Sequence, residues 1–233
     1  MIKVSYTRRG MLSRLAVAGG LVGLGGCEVR RHPSYTFKYT LTIKETTGLR
    51  QGSSVVKVNS STSYGLGSGS HVTRKGDAAW VELSDGRLVV ALMEGRGAPD
   101  YRPGWREGTD YLFMHLYGIE WNPTDAAYEK WSYQELARQR GTRRLAAEQM
   151  PILIVYDDQT DPDAYRFVDV ANPAATLGGA VKSIAIDIAI TDEPVRSGLK
   201  KKLPWLKDKS IYRVQTGRGG MPLSVGRHQL ISD

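Results

Sequence analysis

The clearest pattern in the sequence is a strict alternation of apolar and polar residues from Tyr35 to Glu45. The apolar positions are aromatic or aliphatic, and the residues between them are threonine or lysine. A repeat of two residues over this length predicts a long, half-buried antiparallel strand. A second alternation, from Lys182 to Thr191, predicts another such strand with its isoleucines turned inward.

Further strands are predicted on both sides of the middle of the chain. Asp85-Gly86 separates two apolar runs and predicts a two-residue type I′ hairpin, which pairs Leu83 with Leu88 and Ala79 with Leu92. Residues 53–59 are predicted to form a strand, followed by a Gly/Ser-rich loop over 59–70. The remaining predicted strands are Ile152–Tyr156 and Tyr165–Val170.

The middle of the chain has helical features. Residues 111–117 form an apolar run that fits either a strand or a buried helical turn. Asn122-Pro123 is typical of a helix start, and a helix is predicted over 123–149 with an interruption near Gly141. Strands followed by helices and then strands indicate an α+β fold, mainly antiparallel β-sheet with one or two helices in the middle of the chain.

A short apolar segment lies near the amino terminus. Residues 15–24 are apolar, and four basic residues but no acid precede Glu28. Ten residues are too few to span a bilayer, which needs about 20. A basic stretch, a short apolar segment and small residues form the pattern of a secretory signal peptide.

The signal ends in Leu24-Gly25-Gly26-Cys27, and Cys27 is the single cysteine of the 233 residues. These four residues resemble the lipobox of bacterial lipoproteins. The resemblance implies cleavage between Gly26 and Cys27, a diacylglyceryl thioether on Cys27 and acylation of its new amine with a palmitate-like chain. The alternative is an ordinary signal followed by a buried, inert cysteine. The sequence then divides into a signal peptide (1–26), a tether (27–34) and a single β-rich globular domain (35–233).

The export route and destination are also read from this region. Thr7-Arg8-Arg9-Gly10-Met11-Leu12 resembles a twin-arginine motif, and the general export route is the alternative. The lipobox resemblance implies a membrane anchor on the periplasmic face of the cell envelope. Glu28, rather than Asp, follows Cys27, which implies the outer membrane rather than the inner one.

The net charge of +8 is partly due to the signal. Without its four basic residues, 28 Lys and Arg face 24 Asp and Glu. This balance and export argue against a nucleic-acid partner and leave the membrane and an envelope protein as expected partners. The basic segments 138–144 and 200–202 are either solvated faces or surfaces that attract anionic headgroups.

The sequence offers no compact catalytic or metal-binding motif. Its histidines are not at metal-ligand spacing, and the glycine-rich stretch at 65–70 lacks the lysine of a phosphate loop, so neither metal nor cofactor is expected. The aspartates at 157–163 lack the glycine of a calcium loop and favour a solvated turn. A non-enzymatic binding or assembly module is therefore predicted. The alternative is an envelope hydrolase with dispersed residues such as Glu120, Asp187 and His115.

Short motifs after the signal also resemble a family of uncharacterised bacterial lipoproteins. The resemblance rests on residues 39–43, 52–55, 83–87, 192–195 and 203–206. It implies the cell-envelope location and a β-rich fold, and it implies no particular reaction.

Overall fold

The computed structural model describes residues 28–64, 69–95, 109–122, 124–208 and 230–232. The described strands are β1 (Glu28–Arg31), β2 (Tyr35–Glu45), β3 (Gly48–Tyr64), β4 (Gly69–Asp77), β5 (Ala79–Glu82), β6 (Leu88–Gly95), β7 (Thr142–Arg144), β8 (Pro151–Tyr156), β9 (Tyr165–Phe167), β10 (Val181–Ile190) and β11 (Ile231–Ser232). The described α-helices are α1 (Thr109–Leu116), α2 (Ala126–Arg138), α3 (Pro173–Leu177) and α4 (Leu199–Lys202). The α+β class predicted from the sequence, mainly antiparallel sheet with helices in the middle of the chain, is confirmed.

The described residues divide into two compact units. The smaller unit comprises residues 28–31, 61–64 and 69–71, and the larger unit comprises the others. In the smaller unit, β1 pairs antiparallel with residues 61–64 of β3, and the Arg30 guanidinium lies 4.1 Å from the centroid of the Tyr64 ring. Strand β1 thus occupies half of the segment predicted as a tether (27–34). The predicted domain boundaries stay predictions.

The larger unit contains two sheets. One sheet has the strand order β11-β4-β3-β2-β10-β7, and the other has the order β5-β6-β8-β9. Strand β2 buries its apolar positions from Tyr35 to Ile43, each at most 3% exposed, as the alternation predicts. Strand β10 pairs with β2 so that Ile186 lies opposite Leu41 and Ile188 lies opposite Tyr39. The predicted inward face of β10 is therefore confirmed for these isoleucines, which are fully buried.

Strand β3 is longer than the sequence predicts. The predicted loop over 59–70 is wrong for most of its length, because β3 continues to Tyr64 and β4 begins at Gly69. A Ser/Thr-rich segment remains a strand here because its inward hydroxyls find acceptors: the buried Ser60 donates to the Asp110 carboxyl group. Composition alone does not reveal such partners.

The hairpin at Asp85-Gly86 exists, but its predicted register is wrong by one residue. Val81 pairs with Val89 and Ala79 pairs with Ala91. The Gly86 N–H donates to the Leu83 carbonyl at 3.1 Å, and Gly86 has a φ of 88°. These features define a three-residue loop, a type I turn followed by a left-handed glycine, instead of the two-residue type I′ turn. The apolar pattern did not fix the register, because β6 is buried on both faces.

Replacing Gly86 with valine tests this turn. Gly86 is exposed and an added Cβ would meet nothing within 4 Å, so only the positive φ opposes a side chain. We expect Gly86→Val to lower the free energy of unfolding by about 1 kcal/mol, measured by urea denaturation. Gly179→Val is the control, because Gly179 has equally open surroundings and no positive φ. Equal effects of the two changes would contradict the left-handed turn.

The predicted helix over 123–149 is also shorter in the structure. Helix α2 starts after Asp125, whose side chain accepts hydrogen bonds from the N–H groups of Ala127 and Tyr128. Asn122, the predicted cap, instead accepts from the Thr124 N–H at 3.0 Å. Beyond α2 the chain turns at Gly141, with a φ of 86°, and forms β7 and then the 3₁₀ turn Ala147–Gln149.

The helices pack their apolar residues against β2. The Phe113 ring of α1 lies edge-on to the Phe37 ring at 4.7 Å, and α2 buries Tyr133 and Leu136. The predicted alternatives for 111–117 are thus resolved as a buried helix. None of the described helices is long and apolar enough to span a membrane.

Candidate functional site

The predicted lipid-attachment site, Gly26 and Cys27, lies outside the described residues. The residues named for a dispersed hydrolase site are described, and both acids bind other residues. Asp187 of β10 forms a two-pronged ion pair with Arg144 at 2.9 Å, Glu120 accepts from the Tyr128 hydroxyl at 3.1 Å, and His115 is exposed on α1. Among the described contacts, no hydrogen bond or ion pair joins two of these three residues.

Some residues of the predicted basic segments are paired with acids. Arg140 binds Asp192 at 2.7 Å, Arg144 binds Asp187, and Lys202 pairs with Glu82. Each of these ion pairs offsets one positive charge that would otherwise attract an anionic headgroup. In the aspartate-rich turn, Asp157 accepts two hydrogen bonds from Arg166 at 2.8 Å. Within the described part of the chain, no group of three or more acidic, His or Cys side chains is placed to hold a metal ion.

A cleft of about 370 Å³ lies in the larger unit beside β3 and β5. One wall is residues 50–54 of β3, the second is the chain from Asp77 to Glu82, and the third is Arg196–Gly198. This volume is at the lower end of the range typical of ligand-binding sites, roughly 300–1,000 Å³. The cleft is therefore the candidate functional site of the described residues.

Asp77 fixes two walls of the cleft. Its buried carboxylate accepts hydrogen bonds from the N–H groups of Gly198 at 2.6 Å and Leu199 at 3.0 Å, at the start of α4. The Asp77 carbonyl accepts from the Ser54 hydroxyl at 2.6 Å. One residue thus ties β3 and the segment before α4 to the end of β4.

The strands β3 and β5 approach closely at Gly52. A Cβ added to Gly52 would lie 1.8 Å from the main-chain oxygen of Trp80. This position accepts no side chain without a shift of the backbone, and glycine here allows β5 to lie against β3. The contact covers the Trp80 carbonyl at one end of the cleft.

Glu45 binds Arg50, which lines the cleft, and Ser84, which follows β5. Its carboxylate accepts from the Ser84 N–H at 3.2 Å, from the Ser84 hydroxyl at 2.9 Å and from Arg50 Nε at 3.1 Å. Burial raises the pKa of Glu45, but the hydrogen bonds from Ser84 and the charge of Arg50 outweigh it and lower the pKa below its ordinary value. The carboxylate is therefore ionised at neutral pH and holds Arg50 beside the cleft.

Two arginines contribute unused hydrogen-bond donors to the cleft. Arg50 engages Glu45 through Nε, and Arg196 engages Glu193 through one terminal nitrogen at 2.9 Å. Their side chains are 46% and 60% exposed. A guanidinium carries five N–H groups, so each arginine has donors that no described residue accepts. Such donors are suited to a carboxylate or phosphate group.

A second polar cluster is buried between β2, α1 and α2. The Asp110 carboxyl group accepts from the hydroxyls of Tyr35, Ser60 and Tyr133, the last at 2.9 Å. The His32 ring stacks on the Tyr133 ring at 4.1 Å, and His32 Nε2 lies 3.5 Å from the Glu129 carboxylate. The side chains of His32 and Glu129 are at most 2% exposed, so this cluster holds the fold together and offers no access to a ligand.

The sequence did not indicate the cleft. No pattern in the sequence connects Trp80 and Glu82 of the hairpin with Gly52 of β3. The sequence feature that could indicate the cleft is Gly52, because an isolated glycine in a strand indicates close approach of another backbone. In the structure that backbone is Trp80. Neither protein-family models, curated proteins nor solved structures give a match to this chain.

Proposed function

We propose that this protein is a lipid-anchored lipoprotein of the cell envelope that acts as a non-enzymatic binding module. The observation that carries the proposal is the sequence Leu24-Gly25-Gly26-Cys27 after a short apolar segment. Cys27 is the attachment residue, and the membrane is reached through its acyl chains. Because Glu28 follows Cys27, the proposed destination is the periplasmic face of the outer membrane.

Two features of the described residues support this proposal. The cleft beside β3 and β5 combines unused arginine donors with an aromatic residue, which are typical of binding surfaces. The acids proposed for a hydrolase are engaged elsewhere, Asp187 by Arg144 and Glu120 by Tyr128. Binding is therefore favoured over hydrolysis.

Lipidation at Cys27 is tested by metabolic labelling. In cells grown with a fatty-acid analogue, we expect the wild-type protein to carry label and Cys27→Ser to carry none, because a hydroxyl forms no thioether. The double variant Cys27→Ser with Ser34→Cys is the matched control. It restores a thiol seven residues away, outside the lipobox, and should also remain unlabelled.

Membrane fractions from the same cells test the location. Two or more acyl chains anchor a protein stably, so high salt alone should leave the wild-type protein in the membrane fraction, whereas Cys27→Ser should be released. Label in either variant, or release of the wild-type protein by salt, would contradict the anchor. Recovery with the inner membrane on a density gradient would contradict the proposed destination.

A further inference from the structure

The strand β5 leaves part of its main chain unpaired at the cleft. It is the outer strand of its sheet, and its neighbour is β6. The Leu83 N–H donates to the Arg87 carbonyl at 2.8 Å, so these two residues form a hydrogen-bonded pair. Hydrogen-bonded pairs alternate along an antiparallel ladder. Ala79 and Val81 therefore direct their main-chain groups at β6, and Trp80 and Glu82 direct theirs at the open edge.

Two contacts confirm this orientation and shorten the unpaired part of the β5 edge. The Trp80 carbonyl is covered by Gly52, as expected for a group on the outer edge. The Ser84 N–H, two residues beyond Glu82, is taken by the Glu45 carboxylate. Between these closed positions, the N–H and C=O of Glu82 have no hydrogen-bond partner among the described residues, and Glu82 lines the cleft.

We propose that the cleft binds an extended segment of another envelope polypeptide, which pairs with the main chain of Glu82 and carries a carboxylate recognised by Arg50 and Arg196. An N–H and a C=O on one residue of a sheet edge match the C=O and N–H of one residue of an added strand. Addition of a strand to an open edge is a general mode of peptide recognition. This inference rests on the proposed binding role and names the class of its ligand.

The two arginines select for charge. Pairing with the Glu82 main chain is independent of the ligand's side chains, so it gives affinity without specificity. Arg50 and Arg196 contribute charged side-chain donors at the cleft, and a carboxylate accepts two N–H groups of one guanidinium at once. A bound peptide with an acidic side chain or a free carboxyl terminus satisfies both elements of the site.

The test uses a library of random nine-residue peptides displayed on phage and selected on the full-length protein in detergent. Selected sequences are synthesised, and their dissociation constants are measured by fluorescence anisotropy. We expect acidic residues to be enriched and replacement of the acidic residue by its amide to weaken binding at least tenfold. Amide hydrogen exchange should show new protection at Glu82 when the peptide is bound.

A pair of substitutions at one position separates the main chain from the side chain. Glu82→Pro removes the N–H on the open edge, where proline is tolerated, and Glu82→Ala keeps that N–H. Both remove the ion pair with Lys202. We expect Glu82→Pro to bind the peptide at least tenfold more weakly than Glu82→Ala does, because the two variants differ in the N–H and share the loss of the carboxylate. Circular dichroism and urea denaturation show that each variant is folded.

Modified peptides keep the test decisive if Glu82→Pro does not fold. N-methylation at alternate residues of the selected peptide removes the N–H groups that face β5, and methylation at the other residues is the control. The first set should lose binding and the second should retain it. Four outcomes would overturn the proposal: no peptide is selected, the two methylated sets bind equally, protection appears away from Glu82, or the protein forms a dimer that Glu82→Pro abolishes. None of these outcomes affects the labelling of Cys27, so the anchor is judged separately.

Discussion

Asp110→Asn should destabilise the larger unit by about 3 kcal/mol. Asp110 is 7% exposed, and its carboxyl group accepts hydrogen bonds from three hydroxyls, those of Tyr35, Ser60 and Tyr133. An amide at this position has one acceptor oxygen and presents an NH₂ group to hydroxyls that were donors. A buried polar group left without a partner costs roughly 1–3 kcal/mol. The measurement is the free energy of unfolding in urea.

The same chemical change at Asp125 is the control. Asp125 is exposed and caps α2, and asparagine caps a helix about as well as aspartate, so Asp125→Asn should change stability by less than about 0.5 kcal/mol. Tyr133→Phe removes one of the three donors and keeps the ring that stacks on His32, so about 1 kcal/mol is expected. Equal losses for Asp110→Asn and Asp125→Asn would show that the buried cluster contributes nothing to stability.

Gly52→Ala should be about as damaging, with an expected loss of about 3 kcal/mol. The added methyl group would lie 1.8 Å from the Trp80 oxygen and 2.9 Å from its carbonyl carbon. Both atoms belong to the main chain of β5, so no side-chain rotation relieves the overlap. Either β5 moves away from β3 and uncovers the core, or the β2–β3 pairing is distorted. Urea denaturation measures the loss.

Gly198→Ala is the matched control for this change. Gly198 lines the same cleft, but an added Cβ there meets nothing within 4 Å and its φ of −161° is extended backbone that any residue adopts. We expect its free energy of unfolding to stay within about 0.5 kcal/mol of the wild type. If Gly52→Ala were equally neutral, β5 would not lie against β3 at this point, and the β5 edge would be open at Trp80.

The sequence predicted the strands that bury one face. Strands β2 and β10 alternate because one side meets the core and the other does not, so their patterns identified both their extent and their inward residues. The strand β8 was predicted from the same physics, since a short continuous apolar run fits a strand that is buried on both faces.

The register of the hairpin could not be obtained in this way. Residues 88–93 are all at most 2% exposed, so either register places apolar residues on both faces of β6. Only the turn distinguishes the registers, and Asp-Gly is compatible with a two-residue and a three-residue loop. The length of the helix predicted over 123–149 could not be obtained from the sequence either. Beyond α2, Gly141 and the pairing of β7 with β10 outweigh the helix propensity of the residues.

The candidate site depends on contacts between residues far apart in the chain. Gly52 meets Trp80, Asp77 meets Gly198, and Glu45 meets Ser84. No spacing rule connects these pairs, because the approach of β5 to β3 is set by the packing of two sheets. The proposed lipid-attachment residue, Cys27, is the opposite case, since the pattern that predicts it is contained in four consecutive residues.

The covered ends of the β5 edge also bear on aggregation. An open edge strand is a template on which further copies of a chain add by continuous main-chain pairing. Here Gly52 covers the edge at Trp80, and the Glu45 carboxylate accepts the hydrogen bond of the Ser84 N–H. Among the described residues, the unpaired part of the edge is therefore a single residue, Glu82. Growth of a cross-β stack requires successive residues to pair, and a buried carboxylate opposes such pairing at Ser84. The edge can thus accept a short ligand while giving polymerisation of the protein no continuous template.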